Sequence, residues 1–441
     1  MKTKLTLLLS LVLSFLFYAC VPAEKNTPIV PSPAPVASVS LETPISFPID
    51  TESKIDFSSN SEIQFLSAKT DLASATQIDI PLPAKPVWIA GIPHEDGIAS
   101  AVAFEDGSLS AYLVNKEGHS ETEITPNKIP AGMPLTIYFS DGKLFALTAP
   151  SDASPLTQPV IIERNPFKMA YIATNGDLVI LQDEEQTRLA VNALPDSRIL
   201  VNEEGKLLFL SEPTEKYTHG VLGDSIEATG ITLVETQPEP KILQKITTPK
   251  PDVIEGIYPI WADMDKNGQR EILVTLSNAQ DGARIVAFSE DGNLLAEGIP
   301  VGTGYRWRHQ LVVAPFGSTG ENLLAVIRTP HIGGVLEIYR LNGNKLEIVK
   351  TISGISTHSI GSRNLFTAQA GDFNNDGQID LLAPDQSHTN LGIVTVESET
   401  IIWLELGAKL ITNLASVTST ANSQVVIAGG LSNNILRIWL P

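Results

Sequence analysis

Short apolar runs alternate with polar turns along nearly the whole chain from residue 55 onward. Residues 101–105 end in Asp106-Gly107, residues 137–140 in Asp141-Gly142, and residues 171–174 in Asn175-Gly176. Residues 285–289 lead into Asp291-Gly292 in the same way. Asp-Gly and Asn-Gly between β-branched and aromatic runs mark hairpins, because these residues tolerate positive φ and their twist suits the flanking strands. No stretch beyond residue 20 carries sustained helical periodicity. The pattern predicts an all-β chain.

Two of the turns carry more oxygen than a hairpin needs. Residues 263–271 read D-M-D-K-N-G-Q-R-E, and residues 372–380 read D-F-N-N-D-G-Q-I-D. Both place oxygen-bearing side chains at positions 1, 3, 5 and 9, with Gly268 or Gly377 at position 6. Alternate residues of a tight loop point at one centre, and a hard cation such as Ca²⁺ takes six to eight oxygens in flexible geometry. The glycines accept the positive φ of the sharp turn without a Cβ clash. The expected ligands of one ion are Asp263, Asp265, Asn267 and Glu271, with the Gln269 carbonyl as fifth. Those of a second ion are Asp372, Asn374, Asp376 and Asp380, with the Gln378 carbonyl. An EF-hand is excluded, since it needs a bidentate Glu at position 12, where this chain has Val274 and Ala383. Two Ca²⁺ sites are expected.

An apolar strand follows each loop, and the same order recurs. Second strands are expected at 272–276, 323–327, 381–383 and 425–428, and third strands at 285–288, 335–339, 393–396 and 435–439. A repeat of roughly 45–57 residues is that of four-stranded propeller blades. The loops resemble the calcium loops of FG-GAP and VCBS repeats, found in integrin-α-like β-propellers, most clearly over residues 255–441. A complete Phe-Gly…Gly-Ala-Pro signature is absent, Phe316-Gly317 being an isolated fragment. The resemblance implies an ion that stabilises a blade and does no chemistry. Blades starting near 86, 131, 195, 255, 305, 362 and 408 predict a β-propeller of seven four-stranded blades. Six or eight also fit, because residues 131–247 divide ambiguously. The last repeat stops after its third strand at Pro441. A strand within 76–82 is expected to supply the fourth and close the ring, since an open edge invites aggregation.

Charge narrows the partners. With 50 acidic and 30 basic residues the formal charge is −20, which excludes nucleic-acid backbones and favours divalent cations. Lys2 and Lys4 precede an apolar run over 5–18 that is too short to span a bilayer, then Ala19 and Cys20, the only cysteine. Residues 1–20 resemble a bacterial lipoprotein signal peptide, in which the cysteine is lipidated and becomes the mature N-terminus. That implies export and a lipid-anchored protein on the cell envelope or extracellular surface. An ordinary signal peptide with an incidental cysteine is the alternative. Residues 21–54, with Pro22, Pro28, Pro31, Pro33 and Pro35, read as an extended tether, and residues 55–441 as the propeller. A single cysteine allows no internal disulfide, and bound metal is a substitute.

If the metal loops join first and second strands on one face, the entries to first strands and the second-to-third connections lie on the other. Those segments carry Tyr305, Arg306, Trp307, Arg308, His309, His331, His358, Arg363 and His388. Two readings compete for them. In one they bind an anionic or hydroxyl-rich ligand, a polysaccharide or an acidic segment of a protein partner. Arginine would supply paired donors, and Tyr305 and Trp307 flat surfaces. In the other they fix loops by hydrogen bonds. A lyase or hydrolase with Tyr305 or a histidine as base is the catalytic alternative. The chain has no recognisable nucleophile motif, zinc spacing or paired acid–base signature, so no catalytic residue is assigned and binding is expected. An envelope-assembly scaffold rests on fold analogy. A monomeric propeller is expected, with His94, His119 and His219 solvated near turns.

Overall fold

Strand position decides composition. Every residue of Gly97–Phe104 and of Glu271–Asn278 is buried, whereas Lys241–Thr247 buries only Ile246. A strand covered on both faces needs a continuous apolar run, and one at an outer edge does not. The computed structural model describes residues 38–40, 55–58, 65–182 and 185–441, and the chain divides at Val36–Ala37. The expected leader, Cys20 and the tether apart from Ser38–Ser40 lie outside the described residues. Ser38–Ser40 pairs antiparallel with Glu185–Ala190, so this part of the stretch expected as tether is strand.

The described residues contain no helix. They form a β-propeller of antiparallel groups, such as Arg308–Ala314, Leu323–Arg328, Val335–Asn342 and Lys345–Ser353. Second and third strands of the last four groups fall where the apolar runs predict them. Seven groups are expected from the sequence; the described residues pair into six sheets, and dividing the thirteen-stranded one into three gives eight groups, numbered in chain order over 86–122, 137–146, 160–190, 200–247, 253–298, 308–353, 369–405 and 410–440. The difference lies in residues 131–195, taken as one repeat, which hold two groups. One consists of Val160–Arg164, Phe167–Ile172, Asp177–Gln182 and Glu185–Ala190. The other has only Ile137–Ser140 and Lys143–Ala146 of its own. It borrows Ile55–Ser58 and, in parallel, Ile124–Thr125, which is why it leaves so faint a periodicity.

The core sits between groups. Leu311, Leu336 and Ile338 of the sixth meet Ala370, Leu381 and Val394 of the seventh. Ile89, Ile98 and Val102 of the first meet Val417, Val426 and Leu436 of the eighth. The N-terminal side also enters the last group by hydrogen bonds. Thr76–Pro81 pairs antiparallel with Ile435–Leu440, Ile80 opposite Leu436 and Ile78 opposite Ile438. It is the fourth strand expected within 76–82. Just before it, Phe65–Lys69 pairs in parallel with Gln369–Asp372, on the inner edge of the seventh group. The sequence offers no sign of that insertion. Ile80 is 2% exposed. Ile80→Ala therefore lowers stability by about 2–4 kcal/mol through lost burial and a residual cavity. A urea titration checks this, and an unchanged midpoint contradicts it.

Candidate metal centre and the opposite face

Residues 263–271 and 372–380 fold into the same hydrogen-bonded loop. Asp263 accepts the N–H groups of Asn267 (3.0 Å) and Gly268 (2.9 Å), and Asp372 accepts those of Asp376 (3.1 Å) and Gly377 (3.0 Å). The carboxylate at position 9 accepts the N–H at position 2 in both, Glu271 from Met264 at 2.7 Å and Asp380 from Phe373 at 3.1 Å. Positions 3 and 5 repeat the correspondence. Asp265 accepts from Asn267 and Asn374 from Asp376, while Asn267 and Asp376 accept the N–H groups of Gln269 and Gln378. Positive φ recurs at position 4 (Lys266 and Asn375) and at position 6 (Gly268 and Gly377). These bonds span at most seven residues, so the local sequence suffices to build them.

Asp263, Asp265 and Glu271 bring carboxylate oxygens within 4.8 Å of one another. Burial raises the pKa of Glu271, and the charges of Asp265 and Asp263 raise it further against the Met264 N–H. Burial pushes Asp380 up to about 6, with Asp376 and Asp372 adding to it and the Thr395 hydroxyl and Phe373 N–H opposing. The Gln378 side-chain oxygen in the second loop is buried without a partner. All-oxygen donors with crowded, partly buried carboxylates suit a hard divalent cation. The sixth group has Pro315–Glu321 at this position, without the carboxylate pattern, and its neighbour Asn322 bonds the Asp263 carbonyl at 2.8 Å.

On the opposite face the nine expected ligand residues part company. Trp307, Arg308, His309 and His358 are each 1–2% exposed, and His388 is buried as well. Trp307 stacks on His309 (5.0 Å between centroids) and His331 (5.9 Å), meets His358 edge-on, and donates its indole N–H to the Glu255 carbonyl. His309 bonds the Thr357 hydroxyl at 2.9 Å, and His358 donates to the Ser362 carbonyl at 2.6 Å. Desolvation lowers the pKa of all four histidines, that of His358 to about 3. They are neutral at pH 7 and supply no cationic patch. Arg308 pairs with Glu337 (2.9 Å) and donates to the carbonyls of Ala283 and Ile299. Arg363 pairs with Asp196 and Asp224. For these residues the geometry matches loop fixation rather than an open platform. Tyr305, 45% exposed, and the exposed Arg306 remain at the surface, with His331 half-buried.

No family model and no curated protein matches the chain. Among solved structures it is similar to Sqt1 of Saccharomyces cerevisiae, at 9% identity and a TM-score of 0.41, over 85% of this chain and 99% of that one.

The sequence also hid the connection over residues 215–226. It reaches the entry of the seventh group, where Gly361 donates to the Val221 carbonyl at 2.8 Å and Asp224 holds Arg363. His219, expected to be solvated, is half-buried and bonded to Glu255. A connection this long among two-residue turns was the available signal. Its Tyr217 ring lies 5.2 Å from that of Tyr305.

Proposed function

We propose that this chain is a binding module stabilised by two Ca²⁺ ions, exported and anchored through Cys20. Its face opposite the metal loops receives an anionic or hydroxyl-rich ligand. The observation that carries the metal reading is the shared loop template. Two segments 109 residues apart in sequence adopt one pattern of hydrogen bonds around crowded carboxylates. Asp263, Asp265, Asn267 and Glu271 would hold one ion, and Asp372, Asn374, Asp376 and Asp380 the other, with the carbonyls of Gln269 and Gln378. The ions would neutralise buried charge and leave catalysis aside. Tyr305 and Arg306 are the exposed aromatic and cationic groups of the ligand face.

Extracellular calcium modules bind at about 10⁻⁴–10⁻³ M. An ion held only by the folded state then adds about 1–3 kcal/mol per site at ten- to hundredfold excess over Kd. Calorimetry is expected to find two ions per chain and a melting temperature that falls on chelation. Glu271→Gln or Asp380→Asn each reduces the count by one. Identical melts in chelator and in millimolar calcium would overturn the metal reading.

A further inference from the structure

The ligand face holds a cavity of about 540 Å³ between the fourth and fifth groups, walled by residues 212–214, 216–217, 247–248, 250–253 and 278–280 and by Thr229 and Tyr305. Small-molecule sites fall at about 300–1,000 Å³ and combine apolar walls with a few placed polar groups. We infer that this cavity seats a single sugar-sized ring bearing one anionic group, held between the Tyr305 ring and the ammonium groups of Lys216 and Lys250. The inference rests on the reading of this face as a ligand surface, and names its site and chemistry.

Charge selects the anion. Lys216 and Lys250 are both exposed and have no carboxylate partner among the described residues. Of the two acids that line the cavity, Asp252 is buried, paired with Arg284 at 2.7 Å and bonded to Asn278 at 2.6 Å, and Glu212 accepts the Asn192 amide at 2.8 Å and lies 3.7 Å from Lys245. The free charge at the cavity is therefore positive on a chain of −20. The overall field repels anions, so direct contact with the two lysines, rather than steering, holds one here.

The rest of the wall suits a hydroxylated ring. Tyr305 follows Gly304 (φ 99°) and itself has φ 52°, and its ring stays at the surface while Trp307, two residues on, enters the core. The Tyr305 centroid lies 5.2 Å from Tyr217 and 5.5 Å from His219, giving an aromatic wall with one open side. The Thr247 hydroxyl and the Gln280 amide line or edge the same space, with no side-chain partner among the described residues. They can exchange hydrogen bonds with ring hydroxyls.

The test titrates the calcium-loaded full chain with a glucuronate-containing disaccharide, a sulfated disaccharide and a neutral disaccharide, by calorimetry. Both acidic probes are expected to bind, and the neutral one at least about tenfold more weakly, because charge-assisted hydrogen bonds are the stronger kind. The two acidic probes tell carboxylate from sulfate. Lys216→Gln with Lys250→Gln is expected to cut acidic-probe affinity about tenfold or more and to flatten its salt dependence. Tyr305→Ala is expected to weaken every probe, and Arg306→Ala to weaken the acidic probes less than the double lysine change does. Equal binding of neutral and acidic probes overturns the inference. Binding lost with Arg306→Ala but kept in the double lysine variant overturns the cavity assignment and leaves the face reading standing. No binding of any probe to the wild-type chain at millimolar concentration removes both.

Discussion

Arg308→Ala costs the fold about 3 kcal/mol, the lower end of the range for breaking a buried ion pair from one side. The guanidinium is 2% exposed and ties the sixth group to the fifth, bonding Glu337 at 2.9 Å and the carbonyls of Ala283 (2.7 Å) and Ile299 (2.8 Å). Arg328 and the Tyr339 hydroxyl, both 2.7 Å from Glu337, keep that carboxylate from being left alone, which limits the loss. The double change Arg308→Met with Glu337→Met is expected to cost more than the single one, since it also removes the carboxylate that Arg328 and the Tyr339 hydroxyl bond. Urea unfolding of the two variants measures the difference. A loss well under 1 kcal/mol for Arg308→Ala would return Arg308 to the list of ligand-facing residues.

Acid is expected to weaken the protein through its histidines. His358 is 2% exposed, faces His331 and Trp307, and has its pKa lowered from 6.5 to about 3 by burial, with the Ser362 carbonyl opposing and His331 and His388 reinforcing. The folded chain holds it neutral, while the unfolded chain takes up a proton below the ordinary value. Stability present above pH 6.5 is therefore lost as pH falls from 6.5 towards 3. For His358 alone the loss reaches about 2 kcal/mol by pH 5, at 1.36 kcal/mol per unit. His309, His331 and His388 act in the same direction. Glu227 and Asp196 act against them. Burial raises both pKa values, so their penalty falls as pH drops towards ordinary carboxylate values. Melting the wild type and His358→Gln at pH 7 and pH 5 isolates the histidine. The wild type is expected to lose more stability over that interval. Equal losses would show that His358 does not titrate between the two states.

Much of the second half was legible. The apolar runs located Glu271–Asn278, Leu323–Arg328 and Val425–Leu431 because a strand covered on both sides carries a near-continuous apolar stretch. The same rule failed at Ile137–Ser140 and Lys143–Ala146, a pair too short to show a repeat, whose other strands come from elsewhere in the chain. Trp403 shows a second failure. It sits in an apolar run and reads as core, yet it is 40% exposed on the outer strand Thr400–Glu405.

By itself the sequence determined the two oxygen-lined loops, the all-β character and the strand that joins Ile435–Leu440 from the N-terminal side. Each loop is built from bonds between residues five or seven apart at most, and the last strand was demanded by an edge left unpaired. Only the tertiary structure decided which side chains of the opposite face meet solvent. Trp307 and Tyr305 are two residues apart, one 1% and the other 45% exposed. What separates them is the packing of His309, His331 and His358 around the indole and the reach of residues 215–226 to Gly361. Burial at such a position is set by chain segments far away in sequence, and no local pattern records them.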